Sequence, residues 1–410
     1  MEQNNLSDPQ QTARPRLLVL ASTFPRWAND TEPAFIFELS RRLVPYFDVH
    51  LLAPHADGAA EHEVMAGIQV NRFRYAPSKF QTLSYDGGIL SRLRQNKLRA
   101  GLIPLFIMAE AMAIRKLLKR YEFQVIHSHW IIPQTFALRI ALIGLKRKPP
   151  VLCTSHGGDL FGLQGRLMSA IKHWSLGCIK GMTVVSSAML LEANKLAAHI
   201  SSEVIPMGTC LIDRFTVDNR VNREERLILF VGRLVEKKGI IYLINAITAL
   251  LAKYPDLQLW IVGKGPDENE LKRQVETLGL SGHVIFKGAV THEQLPEIYR
   301  KASVTVVPSI IAEGGDQEGF GLVIVEAMGC GCPVIVSDLS AIRDTVPLDT
   351  MALKVKPANS EALAKAISIT FDYPDEATQR ANLALDYVQS MFDWGAISQK
   401  YRAELLRLIK

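Results

Sequence analysis

Two glutamates frame a stretch of this sequence that could bind a phosphorylated ligand. Glu318 and Glu326 stand at the ends of E-G-F-G-L-V-I-V-E, which follows an apolar run over residues 303–307 and a loop rich in Gly, Asp and Glu. The glycines let the backbone bend tightly and approach a ligand closely. A helix predicted to begin near Leu322 would present unpaired N–H groups and a positive dipole end to an anion.

The two carboxylates indicate what else such a ligand carries. Carboxylates repel phosphate, so their natural partners in a phosphate-binding cleft are hydroxyl groups. A ligand with phosphate in the middle and polyols at both ends is a sugar nucleotide. The simpler interpretation is a loop before a helix that happens to carry two surface acids, but the glycines, the preceding strand and the following helix favour a binding site.

Two cations follow another predicted strand. Arg233 and Lys238 lie in G-R-L-V-E-K-K-G, directly after an apolar run over residues 227–231. Two positive charges across such a turn can neutralise the phosphates of a leaving nucleoside diphosphate, although basic surface residues often follow strands. The sequence contains no D-x-D motif of the kind that holds a divalent metal. We therefore expect no metal site and no cofactor, with these cations and the helix start serving the leaving group.

Histidines end two strands of the predicted first sheet. His156 stands in V-L-C-T-S-H-G-G-D, where an apolar strand would deliver it to a carboxyl end beside two glycines. His127 and His129 alternate in V-I-H-S-H-W and would point the same way. Because no third ligand is near them in sequence, we interpret these two as core or cleft-lining residues rather than a metal pair.

Strands and helices alternate along the chain, which predicts an α/β fold with doubly wound parallel sheets. The first series of strands begins at residues 16–22 and ends with strands over 183–187 and 204–206. A polar segment over 209–225 separates it from a second series that begins at 227–231. The predicted domains are therefore 1–210 and 211–390. Neither series carries a complete G-x-G-x-x-G, which disfavours a nicotinamide cofactor.

These motifs resemble those of the retaining glycosyltransferases of family 4, which have the GT-B fold of two Rossmann-like domains facing a cleft. Glu318 and Glu326 match the family's E-x7-E motif, and the segment from Gly232 through Arg233 and Lys238 to Gly239 is similar to its G-R-x4-K-G segment. The resemblance extends from about residue 17 to the last helix. It implies that the final helix, over 391–410, packs back on the first, acceptor-binding domain.

The resemblance also implies roles for the site. Arg233, Lys238, Glu318 and His156 are the candidate catalytic residues. Glu318 and His156 would contact the sugar and Glu326 the ribose. The candidate donor-binding residues are Gly232, Phe320, Gly321, Leu322 and Glu326. In the loop over 24–35 relatives often carry a Gly-Gly pair that this chain lacks, so this loop could contact either the donor or the acceptor.

The implied function is metal-independent transfer of a hexose from a nucleoside-diphosphate sugar, with UDP-sugar favoured and GDP-mannose next. The acceptor would be a glycan or a polyprenyl-linked glycan in bacterial surface-polysaccharide assembly. The alternatives are a GT-B-fold nucleotide-sugar epimerase and a non-catalytic sugar-nucleotide-binding protein. A glycoside hydrolase would also use two carboxylates, but it gives no role to the two cations.

Charge is unevenly distributed over the 410 residues. The formal net charge is +6, yet residues 1–210 contain 24 Lys and Arg against 15 Asp and Glu. The charge clusters over 92–99, 115–120 and 146–148, around an apolar run over 102–114. Such a stretch is typical either of a helix lying on an anionic membrane or of a buried helix with solvated basic ends. No nucleic-acid motif accompanies the charge, and five scattered cysteines fit a reducing cytoplasm. We expect a cytoplasmic protein with peripheral contact to the inner membrane face.

Overall fold

The computed structural model describes residues 14–27, 30, 32, 34–85 and 87–410. Two parallel sheets dominate this part of the chain. The first has eight strands in the order β3-β4-β2-β1-β5-β6-β7-β8, and only the β3–β4 pair is antiparallel. Its strands are β1 (Arg16–Leu20), β2 (Asp48–Pro54), β3 (His62–Met65), β4 (Ile68–Phe73), β5 (Val125–His129), β6 (Val151–Ser155), β7 (Gly181–Val184) and β8 (Ser202–Val204).

Helices cover both faces of this sheet. The central strands β5 and β6 are buried along their whole length, as expected for parallel strands covered on both faces. The helices that follow the strands are α1 (Phe35–Leu43), α2 (Ile89–Gln95), α3 (Ile103–Arg120), α4 (Phe136–Ala141), α5 (Gly158–Phe161), α6 (Arg166–Leu176) and α7 (Ser187–Ala197).

The second sheet has six strands, all parallel, in the order β11-β10-β9-β12-β13-β14. Its strands are β9 (Leu227–Val231), β10 (Gln258–Val262), β11 (Val284–Gly288), β12 (Val304–Val307), β13 (Val334–Ser337) and β14 (Leu353–Val355). Its helices are α8 (Ile240–Leu250), α9 (Glu268–Thr277), α10 (Leu295–Lys301), α11 (Leu322–Gly329), α12 (Ser360–Asp372) and α13 (Pro374–Phe392), and α14 (Trp394–Ile409) ends the chain. The α/β fold with two doubly wound parallel sheets is confirmed.

The strand order locates the crevice of the second sheet. The order reverses between β9 and β12, which are hydrogen-bonded neighbours, and open α/β sheets bind ligands beyond the carboxyl ends of the strands at such a point. The segment after β9 carries Arg233 and Lys238, and the segment after β12 carries Glu318. The fold therefore brings both predicted motifs to one edge of the sheet.

The chain passes between the two sheets at two adjacent points. Thr209 forms an isolated parallel bridge with Asp393, its N–H donates to the carbonyl of Phe392 at 2.9 Å, and its carbonyl accepts from the N–H of Trp394 at 3.2 Å. Beyond this crossing, the buried side chains of α14 pack in the same core as β1 and β2. The division of the chain into functional domains at 210 and 391 stays a prediction.

Candidate active site

The loop between β12 and α11 is held in one conformation by its own residues. Gly321 precedes α11 with φ 83°, and a Cβ atom there would lie 2.8 Å from Cδ1 of Ile324. Phe320 is buried, and its carbonyl accepts from the Thr345 hydroxyl at 2.8 Å. The helix begins at Leu322 as predicted. Since the N–H groups of a first helical turn have no partner within the helix, this end of α11 can receive an anion.

Glu318 is ion-paired with Lys238 at the opening of this loop. Nζ of Lys238 donates to Oε2 of Glu318, and the side chains are 12% and 16% exposed. Burial alone would raise the pKa of Glu318, but the charges of Lys238 and Lys237 outweigh it and lower that pKa to about 2. The carboxylate is therefore ionised at neutral pH, and its partner ammonium is held in the crevice.

A second lysine also holds the loop between β12 and α11. Lys237 is buried, and its Nζ lies 2.9 Å from Oδ1 of Asp316 and 3.2 Å from the carbonyl of Gln317. Sequence reasoning singled out Lys238 and passed over Lys237 and Asp316. The doubled lysine of K-K-G was the available signal, because two adjacent lysines after a turn can serve different partners.

Arg233 extends across the crevice towards the part of the chain that forms the first sheet. It is exposed, and its Nη1 donates to the carbonyl of Gly87. Behind it, a Cβ atom on Gly263 would lie 1.9 Å from the carbonyl oxygen of Gly232. The glycines Gly263 and Gly265 therefore allow the close packing of two loops.

His156 sits in a cluster of rings at the end of β6. Its Nε2 lies 2.9 Å from Nδ1 of His129, and its ring centroid is 4.9 Å from that of Phe35 and 5.1 Å from that of Trp130. Burial, with a smaller contribution from His127, lowers the pKa of His156 to about 3. The ring is therefore neutral, so one of its nitrogens donates a hydrogen bond and the other accepts one.

The histidine loop touches the glutamate loop. A Cβ atom on Gly157, where φ is 104°, would lie 3.0 Å from Cα of Gly319, and a Cβ atom on Gly319 would lie 2.8 Å from the carbonyl oxygen of His156. Only glycine tolerates this approach on both sides. The structure thus brings His156, Glu318 and Lys238 to the same opening between the sheets.

His127 lies in the core. Its Nε2 exchanges a hydrogen bond with the Thr154 hydroxyl at 2.7 Å, and the residue is fully buried.

Glu326 is deeper than Glu318. It is 3% exposed, its Oε2 accepts from the Tyr299 hydroxyl at 3.0 Å, and its Oε1 lies 3.2 Å from Nε2 of His292. Burial and the neighbouring carboxylate hold the pKa of Tyr299 well above its usual range, so the phenol stays a donor. Neither Tyr299 nor His292 was predicted, because no motif in the sequence marks them.

Comparisons with known proteins identify the family to which this chain belongs. Residues 34–209 match the model described as Glycosyltransferase Family 4, and residues 212–383 match the model described as Glycosyl transferases group 1. The phosphatidyl-myo-inositol mannosyltransferase of Mycolicibacterium smegmatis is 32% identical over 374 residues, which cover 88% of this chain and 84% of that protein. The chain belongs to glycosyltransferase family 4. Two further curated relatives, the uncharacterized glycosyltransferase MJ1607 of Methanocaldococcus jannaschii and the mannosylfructose-phosphate synthase of Agrobacterium fabrum, are matched over 44% and 42% of their length.

Solved structures of low identity share the fold of this family 4 glycosyltransferase. The sucrose-phosphate synthase of Thermosynechococcus elongatus superimposes with a TM-score of 0.77 at 22% identity, covering 96% of this chain and 99% of that one. Anabaena Alr3699/HepE in complex with UDP-glucose gives a TM-score of 0.73 at 19% identity, covering 96% and 100%. The predicted GT-B fold and the predicted family are therefore confirmed.

Family membership fixes the class of reaction. This family 4 glycosyltransferase transfers a sugar from a nucleotide sugar and retains the anomeric configuration. The epimerase and the non-catalytic binding protein are set aside, as is the hydrolase. None of the helices in the described part of the chain combines the length and apolar character that crossing a bilayer requires.

The loop over 24–35 is described only in part. Residues 28, 29, 31 and 33, which carry some of its predicted contacts, lie outside the described residues. Within the rest, Arg26 binds Asp30 at 2.8 and 2.7 Å, and the Thr23 hydroxyl donates to Glu32 at 2.8 Å. These bonds are internal to the loop, so its assignment to donor or acceptor stays a prediction.

Proposed function

We propose that this glycosyltransferase moves a hexose from a nucleoside-diphosphate sugar to a glycan or lipid-linked glycan acceptor without a metal ion. The observation that carries the proposal is the ion pair of Lys238 with Glu318 at the start of α11, on the edge where β9 and β12 meet. This places a cation, a carboxylate and a helix N-terminus within one crevice. A sugar diphosphate needs the cation and the helix N-terminus for its phosphates and the carboxylate for its hydroxyls.

The diphosphate binds between the cations and the helix. Lys238 and Arg233 supply positive charge, and the backbone around Gly232 and over Phe320, Gly321 and Leu322 supplies N–H donors. In the structure both cations have protein acceptors, Glu318 for one and the carbonyl of Gly87 for the other. Phosphate oxygens of the donor replace the Gly87 carbonyl at Arg233, while Lys238, which has three donors, keeps Glu318 and bridges it to the phosphate.

Glu318 and His156 hold the sugar, and Glu326 accepts from the ribose. Glu318 is ionised at neutral pH because the pKa of its carboxyl is lowered to about 2, so it accepts hydrogen bonds from sugar hydroxyls. His156 is neutral and lies on the opposite side of the crevice, where its own carbonyl oxygen packs against Gly319.

Retention follows from attack on the same face as the leaving group. The acceptor hydroxyl bonds to the anomeric carbon while the bond from that carbon to the diphosphate oxygen breaks. The acceptor proton passes to a donor phosphate oxygen, so no side-chain base is required. Negative charge grows on the diphosphate during this step, and the preorganised positive charges of Arg233 and Lys238 stabilise it.

The proposed donor is a UDP-sugar, with GDP-mannose next. A UDP-glucose complex of a protein with the same fold supports the first, and similarity to a mannosyltransferase supports the second. We further propose residues 1–210 with the last helix as the acceptor-binding domain and 211–390 as the donor-binding domain.

The proposed acceptor belongs to surface-polysaccharide assembly and is reached at an anionic membrane face from the cytoplasm. Leu105, Met108 and Met112 are 53%, 50% and 62% exposed, and their spacing places them on one face of α3. The same face continues to the exposed Lys116 and Lys119. An apolar stripe that ends in lysines suits the boundary between acyl chains and anionic headgroups.

A donor screen tests the proposal. Thermal unfolding is followed with UDP-, GDP- and ADP-sugars, and a donor present at a hundred times its Kd should stabilise the protein by about 2.7 kcal/mol. We expect the largest shift with a UDP-sugar and a reduced shift in Lys238→Met. No shift with any nucleotide sugar would contradict the donor site, and release of an epimer from donor alone would contradict the transfer.

A further inference from the structure

A chain of hydrogen bonds stands behind Glu326. One carboxylate oxygen accepts from Tyr299 of α10 at 3.0 Å, and the other lies 3.2 Å from Nε2 of His292, in the turn before that helix. The second ring nitrogen of His292, Nδ1, is contacted by Nη1 of Arg214. Arg214 also lies 3.9 Å from Glu293. Two side chains, Tyr299 and His292, thus contact the carboxylate of Glu326 directly, and Arg214 reaches it through His292.

The chemistry of these groups fixes the direction of each bond. An arginine side chain only donates, so Nδ1 of His292 accepts and the ring proton is on Nε2. That proton is therefore directed at Glu326. The phenol of Tyr299 also donates, to Oε2 of Glu326. Each oxygen of Glu326 receives one donor from the protein and keeps a second lone pair for a ligand.

Arg214 comes from the segment that links the two sheets. It lies five residues after Thr209, where the chain crosses from one sheet to the other. Its own carbonyl accepts from Arg300 at 3.2 Å. The neighbouring Phe215 is fully buried, with its ring centroid 5.0 Å from that of His292 and 6.0 Å from that of Tyr299. The orientation of His292 is therefore set from outside α10 and α11.

We propose that Tyr299, His292 and Arg214 are positioning residues for the donor ribose. Tyr299 and His292 fix the rotamer of Glu326 so that one lone pair on each oxygen faces the two ribose hydroxyls. Arg214 selects the His292 tautomer that donates to Glu326. The inference rests on the proposed function, because it takes Glu326 as the group that binds the ribose.

A purely structural role would satisfy the same buried bonds. A buried carboxylate needs donors whether or not it binds a ligand, so loss of stability does not separate the two roles. A preference for nucleotides that carry ribose hydroxyls does separate them. Misfolding or a displaced helix would weaken binding of nucleotides with and without these hydroxyls alike.

The experiment compares UDP with 2′,3′-dideoxy-UDP by calorimetry, with the guanosine pair in parallel, on the full chain. The parent should bind UDP more tightly than the dideoxy form by about tenfold or more, as expected for hydrogen bonds to a charged acceptor. This ratio should fall towards one in Glu326→Ala, which removes the acceptor, and in Tyr299→Phe and His292→Leu. It should be retained in His292→Gln, whose amide can still donate to Glu326, and reduced in Arg214→Met.

Matched variants control for lost buried bonds. Tyr254→Phe removes another tyrosine hydroxyl that donates to a carboxylate, Asp372, at 2.7 Å. His283→Leu removes a histidine that contacts the carbonyl of Leu257 at 3.0 Å. Both should change the Tm without changing the ratio.

The outcomes separate the inference from the proposed function. If the parent does not discriminate between the two nucleotides, or Glu326→Ala keeps the full ratio, the assignment of Glu326 to the ribose is wrong. If Glu326→Ala abolishes the ratio while folded Tyr299→Phe and His292→Leu keep it, the positioning role alone is wrong. Arg214→Met with an unchanged ratio would remove Arg214 from the chain.

Discussion

A Cβ atom placed on Gly319 would lie 2.8 Å from the carbonyl oxygen of His156. The two residues belong to loops on opposite sheets, and real Cβ atoms essentially never approach a heavy atom below 3.0 Å. The contact therefore sets how closely the glutamate loop and the histidine loop can come together. Any side chain at Gly319 must separate them.

Gly319→Ala should lower turnover much more than it lowers stability. A displacement of about 1 Å at reacting groups can cost about 10²-fold in rate, and the loops of Glu318 and His156 would move apart by that order. The measurement is kcat together with Tm. Gly282→Ala is the control, because a Cβ atom at that exposed glycine meets nothing within 4 Å. Equal kcat in Gly319→Ala and the parent would show that the contact is unimportant for the reaction.

Lys238→Met should depress kcat by about 10²–10³-fold, the cost of losing one preorganised charge from a transition state. The charge is needed most as the diphosphate departs. Arg233→Met should act in the same direction, and the double variant should lose less than the product of the two if they act as a unit. Lys365→Met, at an exposed position of α12, is the charge-matched control. Unchanged turnover of Lys238→Met at saturating donor would refute the role.

Activity should be unaffected by EDTA. The physical reason is that Arg233, Lys238 and the start of α11 already supply positive charge where the leaving group develops its own negative charge. Initial rates are compared before and after dialysis against EDTA, then with Mg²⁺ or Mn²⁺ added. Loss on chelation with recovery on adding either ion would contradict metal independence.

The sequence was sufficient for the elements that carry the chemistry. The bounds of β9 and the start of α11 agree with their predicted positions, because the apolar run of β9 ends at Gly232 and Gly321 directly precedes the helix. Tertiary contacts could not be predicted from the sequence. Asp316 meets Lys237 and Tyr299 meets Glu326 only because the fold brings distant segments together, and no spacing in the sequence records that.

Short edge strands and several strand boundaries were also missed. The strand β1, predicted over 16–22, ends at Leu20, and β8, predicted over 204–206, covers Ser202–Val204. The strands β3 and β14 have four and three residues, too few for an alternation to be recognised. The strand β7 was predicted over 183–187 but ends at Val184, since Ser186 caps α7 by accepting from the N–H of Met189. An apolar run that continues into a helix cap does not mark where the strand stops.

Glu110 should make stability depend on pH. It is fully buried in α3, and burial raises its pKa to about 8 from an unfolded value near 4.5. The folded state therefore holds a proton that the unfolded state loses, so stability is greatest below about pH 4.5 and declines as pH rises towards 8. Glu110→Gln, which mimics the neutral acid, should flatten this decline between pH 5 and 8.

The Glu110 measurement is the free energy of unfolding by urea at several pH values. Glu361→Gln, at an exposed position, should follow the parent at each pH. A parallel decline in Glu110→Gln and the parent would mean that other groups titrate.

The carboxyl of Glu110 also interrupts the apolar run over 102–114. Because Glu110 is buried, its face of α3 is turned towards the core, and the opposite face is left for another surface.

The structure indicates which basic residues are suitable for a test of membrane contact. Of the cluster over 92–99, Arg94 lies 3.8 Å from Asp316 across the crevice, and Arg99 donates to the carbonyl of Arg92 at 2.9 Å. Replacing these arginines would disturb the fold and the active site together with any membrane contact. Lys116 and Lys119, at the end of the apolar stripe on α3, are the cleaner substitutions.

Binding to vesicles of phosphatidylglycerol and phosphatidylcholine should depend on the stripe and its lysines. Each lysine near an anionic surface contributes about 1 kcal/mol, and salt screens the attraction, so Lys116→Gln with Lys119→Gln should weaken sedimentation most at low salt. Met108→Ser with Met112→Ser should weaken it at all salt concentrations, because insertion of apolar groups is not screened. Leu383→Ser, 45% exposed on α13, is the control. If the parent fails to sediment with anionic vesicles at low salt, or both double variants sediment as the parent does, the membrane contact is wrong, while the transfer of sugar from a nucleotide donor is unaffected.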